Sequence, residues 1–372
     1  MLINLLKKLI SIPSFVDEKN NEKLMANFII DFFKNNLSWF DIKKQKIINN
    51  RFNLIISDGY KPNLIFLCHL DTVKPTDNIK KMLTPKITSK KIYGLGACDM
   101  KGGISSLLTA LKEKNKTKGV TVIFDCDEEY YFLGIKKILE EYSFNPKLVV
   151  CPEPTDLEIV NGCRGITEIE LEVLGKTAHA ANPNLGINAI EQSVNLILQL
   201  KRKLNIKKNI FLGKTTVNLA YLYGGKFSNN IIDIQANAVA DIAKLLLDIR
   251  IAQTDLNGIK IIDLIKKISQ SLKLKINKTK INIDYPSYWT NPKKLKTFEQ
   301  QLIKNNLKIK YKKLETMGFF EGALVAKKWS CPTVSFGPTG SKSAHTKDEY
   351  VEIDSLLKVK NVFKELISIY AI

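Results

Sequence analysis

The hydrophobic positions of this chain change their spacing twice. At the start, Leu2, Leu5, Leu6 and Leu9 recur at helical intervals around Lys7 and Lys8, which predicts an amphipathic helix over 1–10. A second helix is expected over 23–35. Three short apolar runs follow, at 63–68 (N-L-I-F-L-C), 120–124 and 147–151 (K-L-V-V-C), with helices predicted over 102–113 and 133–142. Uninterrupted apolar runs between helices predict buried parallel or mixed strands with helices on both faces, an α/β layer architecture. Near residue 166 the period drops to two. Ile169, Leu171 and Val173 alternate with Glu168, Glu170 and Glu172, the signature of a strand with one wet face. Strands at 215–222, 243–251 and 273–283 and helices at 187–204 and 256–272 complete the stretch. After Pro286 the first pattern returns, with a helix over 293–305, an apolar run at 333–336 and a closing helix over 353–369. The expected architecture is an α/β domain with a central mixed sheet, 1–165 and 286–372. It is interrupted over 166–285 by an inserted α+β domain of two helices on a four-stranded antiparallel sheet.

Length agrees with two domains, since 372 residues exceed what one core usually serves. No apolar run is long enough to span a membrane. The N-terminus lacks the apolar stretch and small-residue cleavage site of a signal peptide. A net charge of +20 raises the question of a nucleic-acid partner. The chain has only four arginines, Arg51, Arg164, Arg202 and Arg250, and its lysines are scattered among Asn and Ile throughout. Nucleic-acid binders concentrate charge on one face and often use Arg. The charge therefore reads as compositional bias, with no specific nucleic-acid partner. Six cysteines form no C-x-x-C pair. Free thiols in a reducing cytoplasm are expected.

The chemistry-bearing residues are concentrated in short motifs. There are three histidines, His69, His179 and His345. His69 and Asp71 lie in C-H-L-D-T-V, directly after an apolar run, at the carboxyl edge where α/β proteins place their sites. Residues two apart in extended chain point the same way, so the Asp71 carboxylate can hold the imidazole in the tautomer a metal needs. Taken alone, an H-x-D is an ordinary loop feature. Asp99, in G-L-G-A-C-D-M-K-G-G, precedes a predicted helix and reads as an N-cap, a ligand or both. D-C-D-E-E at 125–129 packs four acids into five positions, tolerable on a solvated loop or beside cations. Glu128 and Glu129 point in different directions, so one can ligate while the other acts as general base. Glu153 sits in C-P-E-P-T, a turn stiffened by two prolines. His345 lies in S-A-H-T-K-D-E-Y after another strand. Two histidines and at least three carboxylates thus follow strand ends or turns of one domain. That mixture suits a pair of Zn²⁺ ions, with one carboxylate bridging and His and Glu on each.

Seven motifs, in order, resemble the co-catalytic zinc aminoacylase, carboxypeptidase and deacylase family of metallopeptidases, which includes acetylornithine deacetylase and succinyl-diaminopimelate desuccinylase. They are H-L-D-T-V, G-L-G-A-C-D-M-K-G-G, D-E-E, P-E-P-T, G-K-T-A-H-A, the stretch 237–250, and A-H-T-K-D-E-Y-V. The resemblance implies a cytoplasmic hydrolase with two Zn²⁺, Co²⁺ being a substitute metal. His69 and Glu153 would bind one ion, Glu129 and His345 the other, and Asp99 would bridge them. Asp71 would orient His69, and Glu128 would be the general base. His179 would stabilise the oxyanion from the inserted domain of a partner subunit, that domain serving as lid and dimerisation element of a homodimer. Asn237, Arg164 and Arg250 fall at substrate-binding or structural positions. An Arg can clamp a carboxylate bidentately or serve in a structural salt bridge. Two departures stand out: Ala240 where relatives usually have Pro, and Phe320 where many have Thr before the acidic residue, here Glu321. The expected reaction is release of an acyl group from an N-acyl amino acid in amino-acid biosynthesis. A dipeptidase or carboxypeptidase, acting on a short peptide, would use the same centre. A non-catalytic metal- or nucleic-acid-binding descendant is the alternative of another class.

Overall fold

The computed structural model describes residues 1–114, 116–206, 208–228 and 231–371. The chain forms two compact units. One comprises Met1–Gly162, Thr290–Lys312 and Phe320–Ile372, the other Cys163–Trp289 and Lys313–Phe319.

The first unit is built on a six-stranded mixed sheet in the order Asp41–Lys46, Phe52–Ser57, Val120–Asp125, Leu64–His69, Leu148–Cys151, Thr333–Ser335. The last four run parallel, and the first two are antiparallel to their neighbours. Every residue of Leu64–His69 and Val120–Asp125 is buried, which is why these strands read as unbroken apolar runs. Helices Leu2–Ser11, Lys23–Asn36, Lys101–Lys112 and Ile353–Tyr370 contribute Leu9, Phe33, Leu107 and Phe363 to the core around this sheet.

The hairpin of Asp41–Lys46 and Phe52–Ser57 has no counterpart in the expected pattern. Asp41–Lys46 reads D-I-K-K-Q-K, without alternation, because it is an edge strand whose lysines face water. A separate three-stranded sheet joins Tyr350–Glu352 to Lys91–Tyr93 and Lys86–Ile87. It fastens the segment before Asp99 to the segment after His345.

The second unit carries a five-stranded antiparallel sheet, ordered Ile231–Asp233, Thr216–Ser228, Ile242–Ile251, Gly165–Leu174, Lys275–Tyr285. Ile231–Asp233 is one strand more than the pattern predicts; three residues are too few to show a period. Helices Ala189–Asn205 and Gly258–Ser271 cover one face, burying Leu196, Leu200, Ile261 and Ile265 against Ile169, Leu171, Leu245 and Leu247. Each is capped by an asparagine side chain, Asn188 and Asn257, which accepts first-turn N–H groups. Among the described residues no helix is long and apolar enough to cross a membrane.

Candidate metal centre

The parallel strands end at one sheet edge, and the motif residues follow those ends. His69 is the last residue of its strand; Glu128 and Glu129 lie just beyond Asp125, and Glu153 just beyond Cys151. Asp99 comes from the turn before helix Lys101–Lys112. The N-cap position there is Met100, with no side-chain capping bond, so the Asp99 carboxylate is not spent on the helix. Gly103 lets that helix approach the Glu153 turn. A Cβ at Gly103 would stand 1.9 Å from the Pro152 carbonyl oxygen, so only glycine fits.

Asp99 lies between two imidazoles. Its Oδ1 is 3.1 Å from His69 Nε2 and its Oδ2 is 3.3 Å from His345 Nε2. Glu153 Oε1 is 3.8 Å from His69 Nε2, and Glu129 Oε1 is 3.2 Å from His345 Nε2. Two half-sets therefore share one carboxylate. Donor atoms of His69, Asp99 and Glu129 all fall within 4.8 Å of one another, and so do those of Glu128, Glu153 and Glu321.

The donor chemistry fits metal ions. Glu153 Oε1 and both oxygens of Glu321 are buried without a hydrogen bond of good geometry. Buried acceptors of this kind are costly unless a cation completes them. Burial pushes the Glu128 carboxyl well above its ordinary pKa, and nearby Glu321 adds to the effect. Burial also raises the Glu153 carboxyl, against the pull of His69. Asp99 goes the other way: burial is outweighed by its hydrogen bonds to His345 and His69, which hold it below the usual carboxylate range. The His345 imidazole is pushed up to about 10 by Asp99 and Glu129. His69 is fully buried, which disfavours its charge, yet the Asp99 hydrogen bond raises it well above its ordinary value. The site concentrates negative charge that two divalent ions would neutralise. Imidazole and carboxylate together are donors of the kind Zn²⁺ accepts.

Asp71 is placed differently from the expectation. His69 Nδ1 hydrogen-bonds the backbone carbonyl oxygen of Asp71 at 3.0 Å, while the Asp71 carboxylate stands 3.8 Å away. That carboxylate instead accepts the backbone N–H groups of Glu128, at 3.1 Å, and Glu129, at 3.0 Å. The turn after His69 therefore orients the imidazole through main chain and the Glu128–Glu129 loop through side chain.

Two site residues escaped the sequence reasoning. Glu349 accepts hydrogen bonds from the N–H groups of Gly96, Cys98 and Asp99, fixing the turn that carries Asp99. Its only mark in the sequence is its place in the His345 motif. Glu321, wholly buried, faces Glu128 and Glu153. The signal that could have found it was the acidic residue beside Phe320.

His179, Asn237, Arg164 and Arg250 all belong to the second unit. His179 and Asn237 are neighbours there: Ala180 N–H donates to the Asn237 carbonyl oxygen at 2.9 Å, and His179 is bridged to Ala238. His179 Nδ1 accepts the N–H of Ala181 at 3.1 Å, which leaves the proton on Nε2. Arg250 grips Asp248 with two hydrogen bonds, Nε to Oδ1 at 2.7 Å and Nη2 to Oδ2 at 3.0 Å. Arg164 donates through Nη1 to the Lys214 carbonyl and the Thr216 hydroxyl, both at 3.3 Å. Both guanidiniums are thus engaged in local structure.

Comparison with known proteins identifies the family and the fold. Residues 65–369 match the peptidase family M20/M25/M40. The chain is 28% identical to an acetylornithine deacetylase of Buchnera aphidicola (subspecies Schizaphis graminum), over 98% of this chain and 97% of that one. Its fold is similar to that of a tripeptidase from Staphylococcus aureus, with a TM-score of 0.75, 21% identity and coverage of 99% and 97%. It is also similar to a dinuclear metal-binding M20 peptidase from Bacillus subtilis, with a TM-score of 0.69, 16% identity and coverage of 99% and 97%. The chain therefore belongs to the peptidase family M20/M25/M40, metal-dependent hydrolases that act on amide bonds.

Proposed function

We propose that this protein is a two-zinc amidohydrolase that removes an acyl group from an N-acyl amino acid. The observation that carries the reading is Asp99 set between His69 and His345, with Glu153 beside the first imidazole and Glu129 beside the second. His69 and Glu153 would hold one ion, His345 and Glu129 the other, with Asp99 shared. Bound there, the metal pair would bring the pKa of a water molecule toward neutrality and polarise the scissile carbonyl. Glu128, which has no place in either half-set, takes a proton from the attacking water and delivers it to the leaving nitrogen. Asp71 holds the loop that presents Glu128.

His179 suits the task of oxyanion donor, because its Nε2 carries the proton. We assign it that role from a partner subunit of a homodimer formed through the second unit. Arg164, Arg250 and Asn237 are proposed to bind the carboxylate end of the substrate. The amino-acid class of substrate is supported by the acetylornithine deacetylase relative. A cytoplasmic setting is supported by six free, buried cysteines.

The test is a substrate panel with zinc-loaded protein: N-acetylornithine, N-succinyl-diaminopimelate, an N-acyl-lysine and a set of dipeptides. Cleavage of an N-acyl amino acid is the expected result. Cleavage of the dipeptides alone would overturn the deacylase reading in favour of a peptidase on the same centre.

A further inference from the structure

The loop that carries Glu128 and Glu129 begins at a residue in an unusual conformation. Asp127 has φ of +72°, in the left-handed region that non-glycine residues visit sparingly. An aspartate reaches that region more readily than most residues, and here it is also held. The holder is a buried ionic cluster from two distant segments. Arg51, just before strand Phe52–Ser57, donates from Nη2 to Asp127 Oδ1 at 2.7 Å. The same guanidinium grips Glu22, Nε to Oε2 at 2.9 Å and Nη2 to Oε1 at 2.6 Å. Glu22 Oε1 closes the ring by accepting the backbone N–H of Asp127 at 3.1 Å. Relative exposures are 9% for Arg51, 1% for Glu22 and 2% for Asp127, so solvent screens these contacts little.

The geometry has a direction. Asp127 is fixed by side chain and main chain on one side of the loop, and Asp71 holds the N–H groups of Glu128 and Glu129 on the other. Between those two anchors it is Glu129, and not Glu128, that stands 3.2 Å from His345 Nε2. We propose that Arg51, acting with Glu22, is a positioning residue of the reaction. It locks the left-handed turn at Asp127 and so decides that Glu129 meets the metal position while Glu128 is left free as base. The inference rests on those two roles as proposed above. It concerns residues that act through Asp127, and a displacement of the reacting groups by about 1 Å can cost roughly 10²-fold in rate.

The experiment compares Arg51→Met and Arg51→Lys with the parent protein, each loaded with Zn²⁺ and, separately, with Co²⁺. Metal content by elemental analysis, the visible absorption of the Co²⁺ form, kcat and KM are measured, with circular dichroism as the check of folding. Arg51→Met removes every side-chain hydrogen bond at similar length. It is expected to fold, to retain both metals, to lose roughly 10- to 100-fold in kcat with KM little changed, and to show an altered Co²⁺ spectrum. Arg51→Lys keeps the charge and part of the bonding, and is expected to recover about a tenth or more of the parent kcat. A folded Arg51→Met protein with kcat within about twofold of the parent and an unchanged Co²⁺ spectrum overturns the proposal. If Arg51→Met fails to fold, Glu22→Gln is judged by the same two readouts and the same limits. The Co²⁺ spectrum reports ligand geometry without turnover. Failure of the hydrolase reading, no cleavage by the parent protein, is therefore distinguishable from failure of the Arg51 assignment.

Discussion

Asp99 Oδ2 lies 3.3 Å from His345 Nε2. The imidazole is also held by Glu129 and is pushed up to about 10, so at neutral pH it carries a proton. A metal ion needs the neutral ring. Binding must therefore expel a proton, and affinity must rise with pH until His345 is deprotonated. Calorimetric titration of the metal-stripped protein in buffers of different ionisation enthalpy checks this. The expected heats differ between buffers and correspond to net proton release. Heats independent of the buffer at pH 7 would refute the competition.

Glu128 belongs to neither half-set, so its replacement separates base from ligand. Glu128→Gln is expected to keep the full metal complement and to lose about 10²- to 10⁴-fold in kcat, the usual contribution of a positioned acid–base group. Elemental analysis and steady-state kinetics on one preparation decide. Loss of metal together with activity would make Glu128 a ligand instead.

Asp71 offers a sharper discrimination, because its two functions use different atoms. Asp71→Asn leaves the main-chain carbonyl that orients His69 and turns one carboxylate oxygen into a donor facing the Glu128–Glu129 backbone. An N–H group left without its acceptor costs about 1–3 kcal/mol. The variant is expected to retain metal and to lose roughly 10- to 100-fold in kcat. A variant that lost metal first would show that the carboxylate, and not the main chain, governs His69.

The turn after Glu153 contributes a pH-dependent term to stability. Asp156 is half-buried, which favours its neutral form, but it accepts hydrogen bonds from the Ser341 hydroxyl, the Gly340 and Ser341 N–H groups and the Lys312 ammonium. Together these hold its carboxyl below the ordinary value. A folded-state pKa depressed below the unfolded one stabilises above the unfolded value, about 3.9, and loses that contribution as pH falls through the folded value. Asp156→Asn is therefore expected to be less stable than the parent at pH 7, with the gap narrowing as pH falls below about 4. Urea unfolding of both proteins across that range measures it. A gap that stayed constant with pH would rule out the carboxylate charge as its cause.

The sequence showed the elements whose burial is uniform or periodic, and hid those that depend on distant partners. Unbroken apolar runs betrayed the strands that end at His69, Asp125 and Cys151, and alternation betrayed Gly165–Leu174. The polar edge strand Asp41–Lys46 left no pattern because only one of its six residues is buried. Within the candidate site, His69, Asp99, Glu129, Glu153 and His345 were visible because each stands in a short motif at a strand end or turn. Glu349 and Glu321 were not, and neither were Glu22 and Arg51 behind the loop. Each acts through a side chain on segments far away in sequence, and such contacts carry no period and no local spacing. The partner of the Asp71 carboxylate was hidden for the same reason, since an H-x-D spacing cannot tell whether imidazole or backbone receives it.

The three hydrogen bonds that Glu349 receives from the Gly96–Asp99 turn join segments synthesised far apart in time. The turn that carries the shared carboxylate leaves the ribosome some 250 residues ahead of its anchor, a separation of 250 between Asp99 and Glu349. His345 emerges only four positions before that anchor. Until residue 345 is made, His69 is the one central imidazole present and the Asp99 turn lacks its anchor. If these residues hold metal as proposed, capture by the full set would wait for the final segment, and a chain stalled before residue 345 would carry an incomplete centre.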